Sequence, residues 1–211
     1  MNSFRRVTLG FVSAAFLGIY SVLAHSGEDP AEGVTLNVRA SPTDPAFPVN
    51  VGGEFSLIDH EGRRRTEKDF GDKYLLVYFG YVNCKAMCPI TLSRIGAAIR
   101  ALGERAADLA PIVVTVDPQR DTPALLKREL PKYHPDLIGL TGSESELAQA
   151  YRAYDVRPTP HGKDWEDDAI VQHTSYIYLI GPQGEFKTLF PPIIRPSVMA
   201  EIMLKYMNPE A

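Results

Sequence analysis

The stretch Leu75-Leu76-Val77-Tyr78-Phe79-Gly80-Tyr81 is apolar almost throughout, and soon after its end the sequence changes period. An apolar run of that length between polar residues reads as a buried strand. Beyond it, Leu92, Ile95, Ile99, Leu102, Ala106 and Leu109 recur at three- and four-residue steps, while Arg94, Arg100 and Glu104 fall elsewhere. That spacing is one face of a helix, read over Pro89 to about Asp108. A buried strand running straight into an amphipathic helix commits the chain to a sheet covered by helices. The only two cysteines lie in the junction, in Cys84-Lys85-Ala86-Met87-Cys88-Pro89. At a helix start the free N–H groups and the positive dipole end favour thiolates, and the i, i+4 spacing puts both sulfurs on one side of the first turn. The junction is therefore a place for dithiol chemistry or for a soft metal.

The same alternation continues along the chain. Glu54 to His60 reads as a strand closed by the turn Glu61-Gly62, ahead of the strand Tyr74 to Gly80. Pro111 to Asp117 is a second apolar strand, and Thr122-Pro123 supplies an N-cap with proline at the first position of a helix reaching about Tyr133. Leu137 to Thr141 is a short strand and Ser143 to Tyr154 a capped helix. Ile170 to Ile180 and Glu185 to Phe190 form a hairpin around Gly181-Pro182-Gln183-Gly184, and Pro196 to Met207 is a final helix. Strands alternating with helices imply a parallel sheet with both faces covered, here extended by an antiparallel pair. The fold class is α/β, a thioredoxin-like arrangement with a central mixed sheet flanked by helices. The thiol pair falls at the carboxyl end of a strand, where open α/β sheets place their sites.

The amino terminus sets the compartment. Arg5 and Arg6 precede an apolar stretch from Val7 to Ala24, after which His25-Ser26-Gly27-Glu28-Asp29-Pro30 turns polar. Residues 1–24 are read as a signal peptide or an N-terminal membrane anchor: Val22-Leu23-Ala24 offers a cleavage site, and the stretch is near bilayer-spanning length. Either outcome exports the domain, to the periplasm or to the periplasmic face of the inner membrane. No cysteine follows the apolar run, which argues against a lipoprotein anchor. Residues 25–50, with Pro30, Pro42, Pro45 and Pro48, read as an extended linker, and 51–208 as one domain with a sizeable core. In an oxidising compartment two cysteines are ordinarily a structural disulfide, but a bridge within one helical turn closes too short a loop to stabilise much.

Composition removes other classes. Lys and Arg number 22 against 26 Asp and Glu, without a basic stripe, so nucleic acid is not an expected partner. There is no internal repeat, no Walker-type glycine loop and no Gly-x-Ser-x-Gly elbow.

The chain resembles the Sco/SenC family of copper-binding assembly factors for cytochrome c oxidase. The resemblance is carried by Gly53-Glu54-Phe55-Ser56-Leu57, by Tyr78-Phe79-Gly80-Tyr81 ahead of Cys84-x-x-x-Cys88-Pro89, and by Asp117-Pro118-Gln119-Arg120-Asp121-Thr122-Pro123. Leu140-Thr141-Gly142-Ser143 and His173 before Tyr176-Ile177-Tyr178-Leu179-Ile180 complete it. It implies a copper metallochaperone, one copper ion held by Cys84, Cys88 and His173, and delivery to the copper-A site in cytochrome c oxidase subunit II or to a related copper protein. A thioredoxin-like reductant is a further implied partner. Donor chemistry agrees, since thiolate favours Cu(I) and imidazole accepts both copper oxidation states. Zinc is the rival metal and would need another His or a carboxylate besides His173. The alternative function is a thiol:disulfide oxidoreductase, with Cys84 attacking and Cys88 resolving as a redox-active pair.

Several residues carry two readings. His173 is either a ligand or a hydrogen-bonded core histidine. Asp117, Arg120 and Asp121 either shape the metal loop and face a partner, or belong to an ordinary helix start. Met87 is expected to pack in the core rather than lend its thioether. His161 reads as a solvated hairpin residue, and His25 becomes a weak chelate only if cleavage exposes its amine. Two positions leave the family pattern. Lys85-Ala86 stands where Pro-Asp is common, which places a cation beside the thiols, and Gln172 stands where an acidic residue often precedes the histidine.

Overall fold

The computed structural model describes residues 51–84, 87–158 and 176–208. Its seven-stranded sheet has the order β2-β1-β5-β4-β3-β6-β7. The strands are β1 (Ser56–Asp59), β2 (Arg64–Thr66), β3 (Tyr74–Gly80), β4 (Leu109–Thr115), β5 (Ile138–Thr141), β6 (Ile177–Ile180) and β7 (Phe186–Phe190). The helices are α1 (Met87–Ala101), α2 (Pro123–Glu129), α3 (Glu144–Ala153) and α4 (Pro196–Met207).

The centre of the sheet is parallel, β3 beside β4 and β4 beside β5, as connections running through helices require. The expected antiparallel pair lies on one side, with β6 against β3 and β7 against β6. A second antiparallel pair lies on the other side. There β1 runs against β5, and β2 folds back on β1. The polar stretch after Gly62 therefore contains a short edge strand, which its Arg-rich composition conceals. Edge strands tolerate such composition because one side of their backbone faces water.

Adjacent residues of β3 point to opposite faces of the sheet. Phe79 packs among Tyr151, Tyr154 and Tyr178, with ring centroids 6.0, 5.2 and 6.1 Å away. Tyr78 points the other way, beneath α1, where it meets Cys88 and Thr91. Helix α1 presents buried Leu92, Ile95 and Ile99 as its period predicts, and it packs against α4.

Several boundaries differ from the sequence reading. Helix α1 ends at Ala101 rather than about Asp108, because Gly103 adopts φ 58°; residues 103–108 form a separate 3-10 turn, and Leu109 opens β4. The second helix becomes 3-10 after Glu129, where Pro131 has no N–H to donate. By contrast α3 starts at Ser143 with a full capping box: Glu146 N donates to the Ser143 hydroxyl, and Ser143 N donates to the Glu146 carboxylate. Residues 170–175 of the expected hairpin, the expected signal or anchor and the linker lie outside the described residues. Among the described residues, no helix is long and apolar enough to cross a membrane.

Candidate metal centre

The end of β3 delivers the first thiol. The Gly80 carbonyl accepts from Val116 N at 3.0 Å, after which Val82 and Asn83 turn the chain and Cys84 follows. Cys88 is the second residue of α1, and Lys85 and Ala86 lie outside the described residues. Both cysteines are reduced and buried, Cys84 7% and Cys88 2% exposed, so Cys84 is the more accessible.

The two thiols are in contact. The hydrogen bond between Cys88 and Cys84 is the largest influence on Cys88 and raises its pKa; burial raises it further. Hydrogen bonds from Tyr78 and from the backbone N–H of Tyr81 act in the opposite direction but do not prevail. The helix start was expected to favour thiolates, and at Cys88 that expectation is corrected: a shared proton and desolvation outweigh the dipole. Contact and burial together oppose loss of a proton from the thiol pair. A metal taking both sulfurs as thiolates must release it.

Tyr78, a strand residue by sequence, adjoins the thiols. Its hydroxyl is buried beside Cys88 and Thr91, and burial keeps it protonated. Gly80 explains the placement. A Cβ at Gly80 would stand 2.5 Å from Tyr78 Cε1, so the Tyr78 ring lies over a position that only glycine leaves open. The sequence signal was there, as an apolar strand interrupted by glycine next to a motif, but strand periodicity does not say why.

The loop after β4 stands against the same turn. Asp117 and Asp121 are fully buried, and Arg120 pairs with Asp117 while its guanidinium lies 5.8 Å from the centre of the Tyr81 ring. Asp121 Oδ2 accepts from Val82 N at 3.2 Å and from the Thr115 hydroxyl at 2.8 Å. So Asp117, Arg120 and Asp121 do adjoin the thiol loop.

Among the described residues, no three His, Cys, Asp or Glu side chains converge as metal donors. His60 and His134 are otherwise engaged: the Nδ1 of His60 accepts from Gly139 N at 2.9 Å, and that of His134 from Asp136 N at 3.3 Å. His173, His161, His25 and Gln172 lie outside the described residues. Met87 overturns its expectation, being 37% exposed rather than packed in the core. It belongs to a rim. Among the described residues, the exposed large apolar side chains are Met87, Ile90, Tyr176 and Ile193: the first two share the start of α1 with Cys88, Tyr176 precedes Ile177, which pairs with Tyr78 near the carboxyl end of β3, and the Ile193 carbonyl accepts from Arg94 of α1. Arg94 fastens that rim by donating Nη1 to the carbonyls of Ile193 and Ile194, at 2.5 and 2.9 Å.

Comparison with known proteins gives a consistent result. Residues 43–208 match the family model described as SCO1/SenC. The chain is 38% identical over 161 residues to the human protein SCO1 homolog, mitochondrial, covering 75% of this chain and 54% of the human one. It thus spans about half the length of that relative. Among solved structures it is similar to Bradyrhizobium japonicum ScoI with copper bound, at 36% identity and a TM-score of 0.67, covering 74% of this chain and 99% of that one. Yeast Sco1 with copper bound superposes with a TM-score of 0.70 at 32% identity, covering 77% of this chain and 91% of that one.

Proposed function

The chain belongs to the SCO1/SenC family, and we propose that it is a copper metallochaperone whose cargo is one copper ion, held by Cys84, Cys88 and His173 and passed to the copper-A site of cytochrome c oxidase or to a related copper protein. The observation that carries this reading is the pair of reduced, buried thiols in mutual contact at the end of β3. Two adjacent thiolates are a soft donor set, which copper prefers and which leaves the site short of the four protein ligands of a structural zinc centre. The copper-bound state of the ScoI and Sco1 relatives supports the same cargo.

Transfer proceeds by ligand exchange. Loading displaces the thiol protons in exchange for metal, and unloading requires a recipient thiolate to enter the coordination sphere before Cys84 leaves. Because the thiols are nearly buried, a recipient must sit on the Met87, Ile90, Tyr176 and Ile193 rim to reach them, and an apolar rim suits that contact. For location we infer export, supported by Arg5 and Arg6 ahead of the apolar residues 7–24.

The contact between the thiols also supports a second reading, a thiol:disulfide oxidoreductase acting on cysteines of the recipient. His173 separates the two. Anaerobic titration of the reduced full chain should saturate at one copper per chain and show thiolate-to-Cu(II) charge transfer after oxidation. Cys84→Ser and Cys88→Ser should abolish that band, and His173→Ala should weaken binding. Undiminished copper binding in either serine variant would overturn the ligand assignment, while full disulfide exchange without copper uptake would favour the oxidoreductase.

A further inference from the structure

Val82 lies two residues ahead of Cys84, and its N–H reaches across the fold to Asp121, 39 positions away in sequence. We infer that Asp121 is a positioning residue for the thiol pair: its carboxylate straps the turn between β3 and Cys84 to the loop after β4, and so fixes where the Cys84 thiol stands relative to Cys88. This rests on the copper reading of the site.

Three observations carry it. First, the strap is anchored in the centre of the sheet. Asp121 Oδ2 accepts from Val82 N at 3.2 Å and from Thr115 Oγ1 at 2.8 Å, and Thr115, the last residue of β4, also accepts from Asp117 N at 2.9 Å. Second, helix-start chemistry does not account for Asp121. The cap of α2 is Thr122, whose hydroxyl accepts from Leu125 N at 3.2 Å. Third, the carboxylate is held at a cost. It is fully buried, its Oδ1 has no hydrogen-bond partner among the described residues, and Asp117 stands nearby. Burial pushes its pKa from 3.8 up to about 6, so the folded state loses stability as pH rises through that window and keeps the loss at neutral pH. Groups that cost stability while holding a reactive loop are characteristic of functional sites.

The variants Asp121→Asn, Asp121→Ala and Asp121→Ser of the reduced full chain separate the strap from the charge. Asparagine keeps an acceptor for Val82 N; alanine has none, and serine is too short to reach it. Copper affinity should fall about 10- to 100-fold in the alanine and serine variants, and the charge-transfer band should shift. The asparagine variant should keep the wild-type affinity and band, with a Tm at pH 7 no lower than wild type. A folded alanine or serine variant with wild-type affinity and band, or an asparagine variant as impaired as alanine, would overturn the inference. Should neither short variant fold, amide exchange at Val82 in the metal-free wild type decides: slow exchange is expected, and fast exchange refutes the strap. A wild type that takes up no copper would instead sink the copper reading, and the Val82 amide would still judge the strap by itself.

Discussion

Asp59 and Gly80 show opposite ways in which one residue sets the properties of its surroundings. Asp59 is buried at the end of β1, which alone would raise its pKa, but hydrogen bonds from the backbone of Arg63, the side chain of Arg65, the backbone of Glu61 and the side chain of Arg63 outweigh burial and hold it at about 2. Since the folded pKa lies below the unfolded value of 3.8, its contribution is complete above pH 3.8 and is lost as pH falls towards 2. That difference corresponds to about 2 kcal/mol. Asp59→Asn should lose roughly that much stability at pH 7 and show a shallower acid limb; equal denaturant midpoints at pH 7 would refute the assignment. Gly80 acts by leaving room. Gly80→Ala should drive the Tyr78 ring from its place beside Cys88 at a cost of about 1–3 kcal/mol, read as a lower Tm. The copper charge-transfer band should shift with it.

At the scale of elements, α1 matters because it carries Cys88 and must lie close to its neighbours. Gly96 permits that approach, since a Cβ there would meet the Tyr133 carbonyl oxygen, with the carbonyl carbon at 3.0 Å. Arg100, one turn on, donates Nη1 to the same carbonyl at 3.0 Å. Alanine in the interior of a helix ordinarily stabilises it by up to about 1 kcal/mol relative to glycine. Here the sign should reverse. Gly96→Ala is expected to destabilise the domain by about 1–3 kcal/mol, measurable by calorimetry, and a raised Tm would show that Tyr133 yields at little cost.

For the whole molecule, the clustering of exposed apolar side chains around the thiols separates holding copper from handing it on. Ile90 is 46% exposed and makes no contribution to the donor set. Ile90→Glu should leave copper affinity and spectrum unchanged while slowing transfer to a copper-A recipient by about tenfold or more, the effect of a loss of 1.4 kcal/mol or more at an interface. Stopped-flow transfer measured beside equilibrium titration reads the two quantities separately, and equal transfer rates would exclude the rim as the docking face.

Much of this molecule was legible locally. The apolar run of β3, the three- and four-residue steps of α1, the Thr122 and Ser143 caps and the proline at the start of α4 each follow from a few neighbouring residues, because strand and helix periods and orphan N–H groups are satisfied within one or two turns. The placement of the thiols at a strand-to-helix junction was legible for the same reason. The second antiparallel pair, β1 and β2, was only partly visible, since pairing partners distant in sequence leave no periodic trace. The state of the thiols was decided by tertiary structure alone: a helix start favours thiolate, yet contact with Cys84 and burial reverse the balance at Cys88. The link from Asp121 to Val82 was likewise invisible, because a carboxylate in the sequence next to Thr-Pro reads as helix-start chemistry until β3 and β4 lie side by side and bring Val82 N within 3.2 Å. Local patterns specify which elements form, but which buried polar group meets which depends on how the elements pack, and that is settled only when the whole sheet closes.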